Sequence, residues 1–178
     1  MNNCIDINKL CTRVLLTFSG MLVFSQITFA LPEDAHQETT IAGGSVELYP
    51  DQGLYIIREN AEGLAHIKQG SMEISGSEIR LEITDRILSK ATAIGQPARF
   101  QQQPTIDQAV VFLSGHNLDY DNSKRLLNID GEASYTQAGN TLNSLHIDYH
   151  LDTRKVNATA REGESVQIKL PPPPAAQP

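Results

Sequence analysis

Cysteine and tryptophan are nearly or wholly missing from this sequence. Cys4 and Cys11 are the only cysteines, tryptophan is absent, and there are five phenylalanines and five tyrosines. Beyond residue 11 the chain therefore has neither disulfides nor thiolate metal sites available to it. The scarcity of aromatic rings argues against a lectin that stacks sugars on aromatic side chains.

Positive charge is also in short supply. The chain has 14 basic and 21 acidic residues and a formal net charge of −7. Without residues 1–30 the counts become 12 and 20, which gives 12 − 20 = −8. No basic stripe occurs, which argues against nucleic-acid binding and against binding to anionic surfaces by charge alone.

One apolar stretch stands out near the start of the chain. Val14–Phe24 follows Lys9 and Arg13, and Thr28-Phe29-Ala30 supplies small residues where a signal peptidase cleaves. The stretch is shorter than the roughly 20 residues that a membrane-spanning helix needs. We therefore predict a cleaved secretory signal peptide over residues 1–30. The remainder is long enough for one domain with a hydrophobic core.

A pattern of apolar and small residues occurs four times. Each copy has an apolar residue, a glycine or serine two positions on, and apolar residues five and seven positions on. The starts are 33, 39 and 29 residues apart, and the copies are residues 41–48, 74–81, 113–120 and 142–149. Apolar and polar residues alternate in each copy, as in a strand with one buried face. A repeat of this period favours a binding protein or a conduit over an enzyme.

Turn signals between Thr39 and Lys169 predict short antiparallel strands joined by tight hairpins. Alternation is clear at Ile79, Leu81 and Ile83, and the fold class predicted is all-β. A short helix is a further expectation for Leu31–Glu38, and the proline-rich residues 171–178 predict an extended, disordered tail. The turn signals include Gly43-Gly44, Pro50–Gly53, Gly63, Gly70, Gly76, Gly95-Gln96-Pro97, Gly115, Asp121–Ser123, Asp130-Gly131, Gly139-Asn140, Asp152 and Gly163.

Two groups of residues invite a catalytic or metal-binding interpretation. His146, Asp148 and His150 share one face of a strand and could approach a metal ion. Adjacent residues on that face are nearly 7 Å apart, so a solvated outer face is the favoured interpretation. Asp119 and Asp121 could form an acid–base pair, but they lead into a turn, which such residues favour. With no catalytic motif present, the sequence predicts neither an enzyme nor a cofactor or metal.

The segment Gly95-Gln96-Pro97-Ala98-Arg99-Phe100 adds a more specific signal. Together with the repeats at Ser75–Ile79 and Ser114–Tyr120, it resembles the OstA-like family of lipopolysaccharide transport proteins over residues 39–168. The first copy departs from the family pattern, because Ala42-Gly43-Gly44 stands where an acidic, polar segment is usual.

The resemblance implies a fold and a function. The expected fold is a twisted antiparallel β-jelly roll at residues 31–170, V-shaped and open at both ends. Family members stack head to tail in the periplasm and carry lipopolysaccharide, by its lipid A acyl chains, from an inner-membrane complex to an outer-membrane translocon. The implied partners are lipopolysaccharide, LptC at the inner membrane, LptD at the outer membrane, and further copies of the chain.

The resemblance also implies functional residues. The residues expected to contact lipid are Ile41, Ile79, Leu81, Phe100, Tyr120, Ile129 and Ile147. Those expected at the two partner-binding edges are Thr39, Ile41, Val46, Leu48, Val166 and Ile168. Two alternatives stay open, an LptC-like component with an uncleaved anchor and a secreted jelly-roll module that binds carbohydrate or serves structurally.

Overall fold

The computed structural model describes residues 37–85 and 87–172. The predicted signal peptide and the last six residues of the predicted tail lie outside the described residues. Of the helix expected at Leu31–Glu38, only Gln37 and Glu38 are described, and neither is helical.

The described residues form twelve strands in one antiparallel sheet, which confirms the predicted all-β fold class. Apart from a 3-10 turn at Pro50–Gln52, they contain no helical element, and hence none with the length and apolar character to cross a bilayer. The strands are β1 (Thr39–Ala42), β2 (Ser45–Tyr49), β3 (Leu54–Arg58), β4 (Ala65–Gln69), β5 (Met72–Gly76), β6 (Glu78–Thr84), β7 (Ile87–Gln102), β8 (Val111–Asp121), β9 (Leu126–Gln137), β10 (Asn140–His150), β11 (Lys155–Thr159) and β12 (Gln167–Lys169).

The sheet bends along a line that crosses its long strands, and the bend divides it into two leaves. Strand pairing is interrupted at residues 94–98 of β7, 114–117 of β8 and 144–146 of β10. The first leaf consists of β1, β4, β5, β12 and residues 98–102, 111–115, 133–137 and 140–144. The second leaf consists of β2, β3, β6, β11 and residues 87–94, 117–121, 126–130 and 146–150.

Glycines allow neighbouring backbones to approach closely at the bend. A Cβ on Gly76 would lie 2.5 Å from the carbonyl oxygen of Ile94, and one on Gly115 would lie 2.5 Å from Cγ2 of Ile129. A side chain at either position would force the neighbouring strand to move. The small residue in each predicted repeat therefore marks the bend, and these residues are Gly43, Gly76, Gly115 and Ser144.

Four strands, β7 to β10, are longer than the short hairpin strands expected, because several turn signals do not reverse the chain. The signals that mark the bend instead are Gly43-Gly44, Gly76, Gly95-Gln96-Pro97, Gly115 and Asp130-Gly131. Strand β7 consequently runs for 16 residues through the cis Gln96-Pro97 peptide bond. Glycine suits both a chain reversal and a close approach of strands, and local sequence does not separate the two. The first repeat, residues 41–48, is likewise divided between β1 and β2.

The hydrophobic core lies between the two leaves. Ile57, Ile79, Ile129 and Ile147 are wholly inaccessible to solvent. Burying an isoleucine side chain stabilises a fold by roughly 1.5–3 kcal/mol. The core therefore holds the leaves against each other near the bend.

Candidate functional site

Three rows of apolar and aromatic side chains cross the sheet from its first strand to its last. Consecutive members of a row are cross-strand neighbours, so they contact each other on one face. Row 1, in the first leaf, is Ile41, Ile67, Ile74, Phe100, Leu113, Tyr135, Leu142 and Ile168. Row 2, next to the bend in the second leaf, is Val46, Ile57, Ile79, Ala93, Leu118, Ile129, Ile147 and Ala158. Row 3, farther from the bend, is Leu48, Tyr55, Leu81, Ala91, Tyr120, Leu127, Tyr149 and Val156.

The four predicted repeats supply alternate members of these rows. The first position of each repeat lies in row 1, and the positions five and seven residues on lie in rows 2 and 3. The strands between the repeats, which we call the returning strands, run in the opposite direction, and they carry members of the same rows in reverse order. Their spacing varies, since Ile57 and Ile67 are 10 residues apart whereas Ile129 and Tyr135 are 6 apart. Because of this variation the strands between the repeats form no repeat of their own in the sequence, although Phe100 and Ile129 on those strands were expected on the inner face.

A cavity of about 210 Å³ separates the leaves in the part of the sheet built from the earlier strands. Its lining combines row 1, row 3 and residues near the free ends of the strands. The lining residues are Thr39, Ile41, Tyr55, Ile67, Gln69, Met72, Ile74, Leu81, Ile83, Leu88, Ala91, Phe100, Tyr120 and Leu151. The cavity is smaller than the roughly 300–1,000 Å³ of pockets that enclose drug-sized ligands. Its size and lining suit a segment of a linear apolar chain.

A tyrosine contact closes the cleft beyond this cavity. The rings of Tyr135 in row 1 and Tyr149 in row 3 have centroids 6.2 Å apart and planes inclined by 45°. Burial raises the pKa of Tyr149 to about 12, so its hydroxyl is neutral at physiological pH. The Tyr135 hydroxyl donates to Oε1 of Gln137 at 2.6 Å. The leaves are thus separated near β1 to β8 and in contact near β9 and β10.

The residues predicted to contact lipid divide into two groups. Those that line the cavity are Ile41, Leu81, Phe100 and Tyr120. Ile79, Ile129 and Ile147 lie in row 2, and the exposure of each of these three is zero. Sequence analysis missed other lining residues, including Tyr55, Met72 and Leu88. The assignment of lipid contact to any of these residues stays a prediction.

The two ends of the sheet present edge strands. Strands β1 and β2 form the N-terminal edge, and β11 and β12 form the C-terminal edge. Among the described strands, each of these four pairs with a single neighbour. Four of the six row ends are exposed, namely Ile41 at 41%, Val46 at 47%, Leu48 at 58% and Ile168 at 62%, whereas Val156 and Ala158 are partly buried. Each edge therefore combines unpaired backbone groups with exposed apolar surface.

The residues predicted at the edges lie on or beside these strands. Thr39 and Ile41 are in β1, while Val46 and Leu48 are in β2. At the other end Ile168 lies in β12, and Val166 immediately precedes it. Sequence analysis missed β11, whose Lys155–Thr159 segment carries only short or moderately apolar side chains on its inner face.

His146 occupies a carboxylate site on the outer face of the second leaf. Its Nδ1 lies 2.6 Å from Oδ1 of Asp130, and its Nε2 lies 2.8 Å from Oδ1 of Asp148. Burial lowers the pKa of His146, but the two carboxylate hydrogen bonds outweigh that effect and the net pKa is raised. Within residues 37–85 and 87–172, no group of three or more such side chains is placed to hold a metal ion. The arrangement with His150 considered above is thus not formed.

Asp119 and Asp121 have separate structural contacts. Asp119 accepts a hydrogen bond from the Thr92 hydroxyl at 2.8 Å. Asp121 accepts bonds from the Ser123 hydroxyl at 2.6 Å and from the Lys124 amide at 3.3 Å. The Ser123 hydroxyl and then the Lys124 ammonium, 3.0 Å from Oδ2, contribute most to lowering the Asp121 pKa to about 2. Asp121 therefore fixes the turn between β8 and β9, in agreement with the favoured interpretation.

An ion-pair ladder covers the outer face beside the N-terminal edge. Arg58 contacts Glu47 and, through its Nε, Oε2 of Glu78 at 2.8 Å. Glu78 also accepts from Nε of Arg80 at 2.6 Å. The ladder joins β2, β3 and β6, and hydrogen bonds from Arg80 and Arg58 lower the pKa of Glu78. The outer face is thus charged while the inner face is apolar.

Comparison with known proteins identifies the family. The family model described as "LptA/(LptD N-terminal domain) LPS transport protein" matches residues 58–155, more than half of the chain. The chain belongs to this family.

One curated relative of this LptA/LptD N-terminal family protein is the lipopolysaccharide export system protein LptH of Pseudomonas aeruginosa. It is 28% identical over 148 residues, covering 83% of this chain and 82% of LptH. The crystal structure of LptH, described as the LptA-homologous periplasmic component of the lipopolysaccharide transport device, has a TM-score of 0.70 at 24% identity. It covers 79% of this chain and 100% of the LptH chain in that structure, and it shows the same fold. These descriptions concern transport proteins and mention no catalytic activity.

Proposed function

We propose that this protein is a periplasmic, non-enzymatic carrier that shields the acyl chains of lipopolysaccharide while they cross between the two membranes. One observation carries the proposal, namely that three apolar rows run without interruption from one sheet edge to the other. A continuous inner face of this kind supports movement of an apolar chain through the protein. Membership of the LptA/LptD N-terminal family supports lipopolysaccharide as the cargo.

Hydrophobic transfer supplies the binding energy in this proposal. Burying one methylene group is worth about 0.8 kcal/mol, so a twelve-carbon acyl chain gains on the order of 10 kcal/mol on leaving water. The cavity offers a first position for such a chain, beside Leu81, Phe100 and Tyr120. Passage beyond it requires the Tyr135–Tyr149 contact to separate. The energy for directional movement comes from outside this chain.

The edges support a proposal about partners. Unpaired strands accept an additional strand from another protein, and exposed apolar ends of the rows would be covered at the same time. We assign the N-terminal and C-terminal edges to contacts with further copies, with LptC at the inner-membrane end and with LptD at the outer-membrane end. The contacts are heterologous, so copies add head to tail without closing.

The proposed domain organisation follows from the same function. Residues 1–30 act as a cleaved leader that directs export, residues 31–170 form the lipid-carrying domain, and residues 171–178 form a proline-rich tail. The strands observed extend from Thr39 to Lys169, within the proposed domain.

Photo-crosslinking to lipopolysaccharide tests the proposal. A photoactivatable residue at Leu81 or Phe100, which line the cavity, is expected to capture lipopolysaccharide in cells. The matched control positions are Arg80 and Glu82, which flank Leu81 and are exposed. Mass spectrometry of the captured species should identify lipid A. Equal capture at inner and outer positions would contradict the proposed lipid path.

A further inference from the structure

Two turns at the rim of the second leaf repeat the same arrangement. One joins β8 to β9 and follows Tyr120, and the other joins β10 to β11 and follows Tyr149. Five residues after each tyrosine stands an arginine, Arg125 or Arg154, with φ of 51° or 56°. The turns are two strands apart in the sheet, which corresponds to roughly 10 Å.

The first turn borders the cavity directly. Nη1 of Arg125 donates to the Tyr120 hydroxyl at 2.9 Å, and the backbone oxygen of Arg125 accepts from the Leu151 amide at 2.9 Å. Tyr120 and Leu151 both line the cavity. Arg125 also pairs with the exposed Asp152 carboxylate, at 3.1 Å from its Nε. The Asp152 carboxylate is 65% exposed, and ion pairs to such exposed groups contribute little to stability.

The second turn places an arginine near the other tyrosine. Burial raises the pKa of Tyr149, and the positive charge of Arg154 lowers it by a smaller amount. Across the described part of the chain, neither Arg154 nor Lys155 has an ion-pair partner. Both side chains are exposed at the rim.

These two turns form a positive surface on a negative protein. Residues 121–125 and 151–155 contain four cations, Lys124, Arg125, Arg154 and Lys155, and two anions, Asp121 and Asp152, which gives 4 − 2 = +2. The whole chain has a net charge of −7. Tyrosine rings face the apolar interior just inside this surface, and such rings suit a boundary between apolar and polar surroundings.

We propose that Arg125 and Arg154 form a binding site for a phosphate-bearing lipid headgroup whose acyl chain occupies the cavity. This inference rests on the proposed function and adds a headgroup site to it. A guanidinium donates paired hydrogen bonds to phosphate oxygens, and it keeps its charge at any physiological pH. The rim of the second leaf would then fix how deeply the lipid enters, with its phosphates at the two turns and its acyl chain in the cavity.

Binding of lipid A and of enzymatically dephosphorylated lipid A tests the site. In a fluorescence displacement titration at fixed salt, Arg154→Gln is expected to weaken binding of lipid A about three- to tenfold and to leave the dephosphorylated form unaffected. Arg154→Lys should recover part of the loss, because the charge is kept but the paired donors are not. The matched control is Lys90→Gln, an exposed cation on the outer face of the same leaf.

The outcomes separate the two proposals. If the unaltered protein binds neither lipid, the proposed carrier function fails. If it binds both lipids and Arg154→Gln binds lipid A as tightly as Lys90→Gln does, the headgroup site alone is overturned. Arg125→Gln should act like Arg154→Gln, and thermal melting of both variants shows whether either loss arises from unfolding. A loss that is equal for both lipids would also overturn the headgroup site.

Discussion

At the scale of single residues, His146 shows how the charged outer face contributes to stability. Both of its ring nitrogens face carboxylate oxygens, from Asp130 and Asp148. Only the doubly protonated ring can donate to both partners at once. The folded protein therefore favours the charged imidazolium, which is why the His146 pKa is raised above 6.5.

The raised pKa predicts a pH dependence of stability. A group whose pKa is higher in the folded state stabilises that state below its unfolded pKa, and the contribution is lost as the pH rises through the folded pKa. We expect the free energy of unfolding to fall as the pH rises above the ordinary histidine pKa of 6.5, and His146→Gln to reduce this slope. Urea unfolding followed by circular dichroism at several pH values measures it.

His150 provides the control for this prediction. His150 lies four residues further along the same strand and on the same outer face. The hydrogen bonds to Asp130 and Asp148 are made by His146 and not by His150. His150→Gln should keep the slope of the unaltered protein. An unchanged slope in His146→Gln would show that the two carboxylates do not hold its proton.

At the scale of the elements, the bend between β5 and β6 depends on the absence of a side chain at Gly76. A Cβ there would lie 2.5 Å from the carbonyl oxygen of Ile94, a backbone atom that cannot rotate away. We expect Gly76→Ala to lower the free energy of unfolding by about 1–3 kcal/mol. Chemical denaturation of the two proteins gives this difference.

Gly63 is the matched control for Gly76. A Cβ at Gly63 would meet nothing within 4 Å, and this glycine is outside the left-handed region. Gly63→Ala should therefore be nearly neutral in the same measurement. Equal stability of the two alanine variants would mean that the bend tolerates a side chain at Gly76.

The sequence predicted the elements unevenly, for physical reasons. Regular alternation at Ile79, Leu81 and their equivalents predicted the inner face of four strands, because the period of two is a direct consequence of strand geometry. The returning strands were harder to recognise, since Ala91 and Ala93 carry little apolar signal. Bends resembled turns because glycine serves both, and only the strand pairing distinguishes them.

The candidate site was predictable only in part. Phe100 and Tyr120 were expected on the inner face, and both line the cavity. The closure of the cleft by Tyr135 and Tyr149 depends on two residues from different leaves. Their approach follows from how far the sheet folds at the bend, which no local pattern encodes.

At the scale of the whole molecule, the rows specify how two copies would join. Strand β11 of one copy and β2 of the next would be antiparallel, and so would β12 and β1, if the alternation of strand direction continued. Row 1 would then continue from Ile168 of one copy to Ile41 of the next, and row 3 from Val156 to Leu48. The pair in each leaf would be antiparallel, so one head-to-tail contact between copies can form both pairs of strands at once.

This register predicts a specific cross-link between copies. In protein with Cys4 and Cys11 replaced by serine, Ile41→Cys combined with Ile168→Cys is expected to form a ladder of disulfide-linked oligomers under mild oxidation. Directly opposed residues in antiparallel strands have Cβ atoms about 4.5–5.5 Å apart, close enough for a disulfide after small adjustments. Non-reducing electrophoresis displays the ladder.

A register control makes the prediction sharp. Thr40→Cys combined with Ile168→Cys displaces one cysteine by a single residue, and a one-residue step places it on the opposite face of the sheet. That pair should give little or no ladder, although both proteins carry two exposed cysteines on the same edges. Equal ladders from the two pairs would show that the copies collide without a fixed register. If only the Thr40→Cys and Ile168→Cys pair gave a ladder, the rows of adjacent copies would be out of line. An uninterrupted apolar path between copies does not allow that arrangement.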